Sequence, residues 1–292
     1  MGRVACIALA VWGLGVAPAA QAQSTAATWP ERGGGQRPLA TVDPLLAEPG
    51  WLVVETGAGF AHDREIPAVG LRGNVLRVPE LTLRLSVASR VELRVDTGYE
   101  VLFVHERREA PLSAELDYDG EASSDIRDPV VSTLVRVRDE SGQAPAIGLK
   151  IATRLPVASN QSGLGLDTTD FFLALLAAKD GAGLRWVANL GLGILEVPTA
   201  VTSQNDVLTY GFSVSRDIGS RLEVGAGVDG HVDLSGQVHP GTEDTSVVRL
   251  GGRFGAGAST IDAALLIGLA EVDAPLGVTI GLTRSFHVFD GR

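Results

Sequence analysis

The chain has almost no cysteine: one residue, Cys6, in a sequence of 292. Cys6 lies in an N-terminal stretch that reads as a cleaved signal, with no lipobox around it. The mature chain is therefore expected to have no thiol. That excludes disulfides, thiolate catalysis and cysteine-ligated metal. Positive charge is in the minority, with 24 Lys and Arg against 35 Asp and Glu, a formal net charge of −11. This balance argues against nucleic-acid partners and against a basic membrane-surface patch. Beyond the N-terminal stretch, no apolar run approaches the ~20 residues of a spanning helix. A mature chain of this kind could enter a membrane only as a closed barrel, in which every strand backbone group is paired.

The N-terminus suggests export. Arg3 supplies a short positive region, Val4 to Val16 are apolar, and Ala20-Gln21-Ala22 gives a small-residue cleavage site. This is the pattern of a Sec signal peptide over 1–22, removed before Gln23. Residues 23–50 carry Pro, Gly, Ser and Ala without a period. They read as a flexible, poorly ordered periplasmic leader.

From Trp51 onward the period is two. In 90–103, Val91, Leu93, Val95, Thr97, Tyr99, Val101 and Phe103 share one face, and Arg90, Glu92, Arg94, Asp96, Gly98 and Glu100 share the other. Leu81, Leu83, Leu85 and Val87 likewise oppose Thr82, Arg84 and Ser86. About twelve such strands follow one another, near 51–61, 75–88, 90–104, 130–138, 146–156, 168–178, 183–195, 207–216, 220–232, 246–255, 260–269 and 277–289. Each is close to the ~9–11 residues of a tilted spanning strand. Short connections near 89, 139–145, 179–182, 217–219 and 256–259 alternate with mostly longer, more polar ones near 62–74, 105–129, 157–167, 196–206, 233–245 and 270–276. The expectation is an all-β fold: a transmembrane antiparallel up-and-down barrel of about 12 strands over 51–292, in the bacterial outer membrane. Its short turns and both termini lie in the periplasm. Two features strain this reading. Aromatics are only 5% of the chain, few for interfacial girdles. Arg284 also falls in the lipid-facing phase between Leu282 and Phe286.

Chemistry-bearing motifs are weak. Gly225, Gly227 and Gly230 match G-x-G-x-x-G, but they lie within a strand and open no helix, so they read as small residues facing a crowded interior. His62, His105, His231, His239 and His287 show no metal-ligand spacing. Ser213 and Ser215 alternate on a strand, and there is no G-x-S-x-G elbow. The His-x-Ser-Asn-Gly signature of an outer-membrane phospholipase is absent too. The expectation is no enzyme activity, no cofactor and no metal. What remains is the charge in the lumen phase: Arg84, Glu92, Arg94, Asp96, Lys150, Arg154, Asp170, Arg185, Arg221, Glu223, Asp229, Arg249, Arg253 and Asp262, with Glu100, Arg136 and Arg138. Two readings stay open. These residues form a salt-bridged filling of a narrow interior, or a lining that selects a permeant.

Several segments also resemble a known family. They are GLKIATRLP from Gly148 to Pro156 with a following Gly-rich loop and Asp170, RLEVG from Arg221 to Gly225, IDAALLIGL from Ile261 to Leu269, and GLTRSF from Gly281 to Phe286. Over roughly Glu80 to Phe289 the chain resembles the outer-membrane family named after the meta-cleavage pathway of phenol degradation, often labelled simply as transporters. These are architectural signatures. The closing strand departs from the family's usual ending, because Phe289 is followed by Asp290-Gly291-Arg292. The resemblance implies a narrow channel for small, often aromatic or hydrophobic, molecules. The expected partners are outer-membrane lipid, the barrel-assembly machinery and an unidentified small solute. The alternative function is a closed structural or surface-interaction barrel.

Overall fold

The computed structural model describes residues 37–200, 203–236 and 238–290. The signal peptide and residues 23–36 of the leader lie outside them. Among the described residues there are thirteen strands: β1 (Trp51–Ile66), β2 (Leu71–Ala88), β3 (Val91–Arg107), β4 (Ala122–Ile126), β5 (Val130–Arg138), β6 (Ala146–Arg154), β7 (Asp170–Gly181), β8 (Leu184–Glu196), β9 (Gln204–Ile218), β10 (Leu222–Asp233), β11 (Thr245–Ala256), β12 (Ser259–Gly268) and β13 (Leu276–His287). All pairings are antiparallel, and β13 pairs with β1 to close the sheet. The short β4 adds no stave. It pairs with Tyr99–Phe103 of β3, and β5 pairs with Val91–Asp96 of the same strand. The two form one stave, interrupted at Arg127-Asp128-Pro129, where Pro129 has no N–H to give to a ladder. The result is a closed barrel of twelve staves.

The expected strands are all found, and the differences lie at the connections. The long loop expected over 62–74 is only a turn at 67–70, because β1 and β2 extend as a hairpin to Ile66 and Leu71. The loop expected over 105–129 contains β4. The β7–β8 hairpin turns at Ala182-Gly183, both left-handed with φ of 54° and 73°. This two-residue geometry matches the right-handed twist of the flanking strands.

The phase of each strand follows from its chemistry. Leu83, Leu93, Phe103, Ile151, Leu173, Leu190, Leu192, Ile261 and Ile280 point outward and are exposed. Alternate positions such as Glu55, Arg84, Glu92, Ser132, Ser213 and Asp262 point inward and are buried. The outward face is an apolar band, which suits hydrocarbon rather than water. The aromatics Tyr99, Phe103, Phe171, Trp186, Phe212, Phe254 and Phe286 all join it. Arg284 is explained by depth. It pairs with Ser259 at the very start of β12, and its guanidinium lies over the Phe286 ring at 5.5 Å. At the turn end of a spanning barrel, a long cationic side chain can lay its stem on apolar surface and hold its head at the polar boundary.

One bulge has consequences for the interior. Val78 and Pro79 of β2 stand where β3 has Tyr99 alone, between the Arg77↔Glu100 and Glu80↔Gly98 pairings. A Cβ at Gly98 would meet the Pro79 carbonyl oxygen at 2.5 Å, so the bulge depends on that glycine. The extra residue places both Arg77 and Glu80 inside, which simple alternation cannot do.

Candidate functional site in the barrel lumen

The lumen is not empty. Residues 37–50, read from sequence as part of a loose leader, run inside the barrel against its wall. Arg37 donates from Nε to Asp262 at 3.1 Å, from Nη1 to Glu80 at 2.6 Å, and from Nη2 to the Ile280 carbonyl at 2.8 Å. The Thr41 and Ser213 hydroxyls are 2.6 Å apart. Asn189 accepts from the Val42 N–H at 2.7 Å and donates to the Val42 carbonyl at 2.8 Å, so its amide stands in for a neighbouring strand. Asp43 takes both its oxygens to Arg185, and Val42 and Leu46 pack on Leu134 and Leu176. A segment without sequence period is ordered here by the wall it meets. Over 37–50, Arg37, Thr41, Val42 and Asp43 find partners on the wall, and Leu39, Val42 and Leu46 are buried.

Glycine makes the room for it. A Cβ at Gly281 would meet the Arg37 side chain at 2.4 Å, one at Gly225 would meet Leu39 at 2.8 Å, and one at Gly148 would meet Pro44 at 2.9 Å. One at Gly211 would meet Thr41 at 3.2 Å. Gly225 and Gly227 of the G-x-G-x-x-G match fall in this wall against Leu39, whereas Gly230 is in the opposite phase and abuts the Thr245 backbone.

The wall charges sort into pairs. Arg84 is fully buried between Glu55 at 3.1 Å and Glu92 at 2.9 Å. Arg94 binds Asp96 through Nε and Nη2, and Thr82 donates to the same carboxylate at 2.7 Å. Arg154 meets the buried Asp170 at 2.5 Å. Glu223 pairs with Arg253 at 2.7 Å and Asp229 with Arg249 at 2.8 Å. Asp262 belongs to Arg37. Arg185 joins Asp43 and Glu140, and Glu140 also accepts from Lys179. Burial alone would raise the Glu140 carboxyl, but the Lys179 ammonium, the Asp180 N–H and Arg185 hold it below the ordinary glutamate range. Lys150 faces the lumen and, among the described residues, has no ion-pair partner.

Two expected lumen residues, Arg221 and Arg138, are placed elsewhere. Arg221 sits in the turn 219–221 and is exposed, because β10 begins only at Leu222. Arg138 lies at the same turn end, exposed and donating to the Pro145 carbonyl, whereas Arg136, opposite Gly148, keeps the inward phase and donates to the Ser89 carbonyl. Conversely, the alternation missed Arg37, Asp43, Arg77 and Glu80. The first two lie outside the strands, and the others are brought in by the bulge. Pro79 in an otherwise alternating strand was the available signal for the bulge.

Beyond the segment, a cavity of about 300 Å³ occupies the lumen, lined by Arg37, Pro38 and Ala40 on one side and by Arg77, Glu80, Arg94, Asp96, Arg127 and Lys150 among others. At the loop end, Ala68, Val69, Leu71, Val75, Leu102 and Leu112 form an apolar cluster, with Leu164 and Leu166 packed on it. Loops 108–121 and 155–169 are tied together there, for example by the Asp117 N–H to the Gln161 carbonyl at 3.1 Å. Among the described residues, no three His, Cys, Asp or Glu side chains converge as metal ligands.

No family model matches the chain, and no curated protein matches it either. Solved structures do. The COG4313 outer membrane channel from Pseudomonas putida F1 superposes with a TM-score of 0.57 at 12% identity, over 82% of this chain and 97% of that one. The translocator domain of the autotransporter NalP from Neisseria meningitidis gives 0.46 at 12% identity, over 82% and 89%. LpxR from Salmonella typhimurium gives 0.47 at 10% identity, over 80% and 99%. At such identities the likeness is one of fold: the chain has the closed antiparallel barrel of outer-membrane proteins.

Proposed function

We propose that this chain is a narrow conduit for small molecules in the bacterial outer membrane, described here in a closed state, with residues 37–50 as its internal gate. The reading includes export by the Sec route, insertion by the barrel-assembly machinery, and no catalytic step. The observation that carries it is the charged cavity of about 300 Å³ between the segment and the opposite wall. A barrel serving only as a scaffold gains nothing from a charge-lined space, since leaving charged groups imperfectly paired away from bulk water is unfavourable. A conduit needs such a space, because a permeant must find favourable but weak sites along its way. The fold likeness to an outer membrane channel supports the same reading.

Single-channel recording in planar bilayers tests it. The full chain should give small, infrequent steps. A chain lacking 37–46 should give larger, long-lived steps while keeping the heat-modifiable gel mobility of a folded barrel. A folded deletion variant that is as silent as the full chain would sink the conduit and favour the closed scaffold.

A further inference from the structure

Lys150 on β6 breaks the rule of paired charge on the inner wall. Among the described residues, no carboxylate oxygen lies within 4.0 Å of its ammonium, and it makes no hydrogen bond. The neighbouring carboxylate is Asp96, and Asp96 is taken up by Arg94 in three contacts of 2.7 to 3.0 Å and by Thr82 at 2.7 Å. Arg94 is almost wholly buried, and its Nη1 has no hydrogen-bond partner. Two cations therefore share one carboxylate. Further along the same cavity, Arg77 and Arg127 share Glu100 at 2.7 and 3.5 Å, and Arg64 approaches it at 3.9 Å. Four cations that line this cavity of about 300 Å³, Lys150, Arg94, Arg77 and Arg127, are set against two carboxylates, Asp96 and Glu100. This happens in a chain whose formal net charge is −11. The remaining cations of the cavity, Arg37 and Arg249, have their own partners.

An excess of buried positive charge is unfavourable unless an anion or water answers it. A lone ammonium with three free donors is also the most adaptable anion ligand a side chain offers. Val130 and Leu266 line the same cavity and give it an apolar portion. We propose that this cavity is a binding subsite for a small organic monocarboxylate. Its carboxylate meets the Lys150 ammonium in the field of Arg94 and Arg127, and its hydrocarbon part lies against Val130 and Leu266. The proposal rests on the conduit reading only for transit of the anion; binding itself needs no open passage.

The test is equilibrium dialysis of radiolabelled butyrate against the folded, full chain in uncharged detergent and chloride-free buffer, with butyramide as the uncharged isostere. Butyrate should bind saturably and butyramide should not. Lys150→Met should weaken butyrate by about tenfold or more, the scale of a lost charge-assisted hydrogen bond. Lys150→Arg should stay within about threefold of the native chain. Lys150→Met should also fold and resist urea at least as well as the native chain, since it removes an unpaired charge. A lysine with a purely structural role would instead lose stability on that change. Equal binding of butyramide and butyrate, or unchanged binding by Lys150→Met, overturns the site. Butyrate binding by a chain that never conducts would leave the site standing and remove the conduit. Conduction without butyrate binding would do the reverse.

Discussion

Arg185 on β8 grips Asp43 of the internal segment with both arms: Nε and Nη2 each donate to one carboxylate oxygen at 2.9 Å. The pair ties the segment to the wall near the turn end, where Glu140 takes the remaining Nη1 at 3.0 Å. Asp43→Asn keeps the shape but removes the charge, so one arm of the fork loses its acceptor. The segment should detach more often, at an expense of about 1–3 kcal/mol of its attachment. The expected result is a higher open probability in single-channel records with unchanged barrel mobility on gels. Acid should act the same way. Glu140 has a folded pKa below its unfolded one, so its contribution is full above the ordinary glutamate range and fades as pH falls through the lower folded value. Opening that is insensitive both to Asp43→Asn and to acid would show that the clamp does not hold the segment.

Arg84 is the opposite case, a structural charge. It is fully buried between Glu55 and Glu92, and all three are on the first three strands. Arg84→Met leaves two carboxylates facing each other without a cation, which should destabilise the barrel by about 3–5 kcal/mol. Adding Glu55→Gln and Glu92→Gln should recover most of that loss. Urea unfolding followed by gel mobility reads both. A single variant as stable as the native barrel would mean that the neighbouring groups absorb the charge.

The contrast shows how much was legible beforehand. Strand number, closure and inside–outside phase follow from alternation, because a spanning strand must satisfy lipid and lumen on successive residues. The pairs Glu223–Arg253 and Asp229–Arg249 were likewise within reach, since both members stood in the lumen phase of adjacent strands. The gate was not. Residues 37–50 carry no period because they form no ladder; their order comes from Asn189, Ser213, Arg185 and the space above Gly211 and Gly225, all far away in sequence. Arg77 and Glu80 were hidden by a bulge that puts two residues against one. Arg221 was misplaced by a single residue at a strand boundary, where period-two reasoning is weakest.

Phase can be tested on β3. Val95 points outward between Leu83 and Val131 on the flanking strands, and Arg94 beside it points in and is buried. Val95→Arg puts a charge into hydrocarbon and should cost ~2–4 kcal/mol near the midplane. It should lower the folded fraction on gels without altering butyrate binding. A fully folded Val95→Arg would require the register of this strand to be redrawn.

Orientation is read by labelling. Val238, in the loop 234–244, is exposed, and a side chain at Gly181 beside the β7–β8 turn meets nothing within 4 Å. Val238→Cys should react with an impermeant maleimide on intact cells, and Gly181→Cys only once the outer membrane is permeabilised. Gly241 is a poor choice for the same loop, because its φ of +97° and the Pro198 ring at 2.7 Å penalise any side chain. The reverse labelling pattern would invert the barrel, and equal labelling of both would argue against a spanning one.

The last prediction separates the gate from the wall. At Gly225 an added side chain would strike the Val214 carbonyl as well as Leu39, so barrel and segment would suffer together. At Gly211 the nearest atom is Thr41 of the segment at 3.2 Å, and the nearest wall atoms, on Asn189, are at 3.6 and 3.7 Å. Gly211→Val therefore presses chiefly on the segment, while a β-branched residue suits the strand itself. Thr41 and Ser213 would lose their contact, and Val42 would be drawn from Asn189. The barrel should keep its gel mobility and its urea midpoint within about 1 kcal/mol, because a tolerated strand substitution is worth no more than that. The segment should become cleavable by added protease and the open probability should rise. If Gly211→Val stays closed and protease-resistant, the segment is held by more than the fit against β9, and the gate must be anchored chiefly through Arg37 and Asp43.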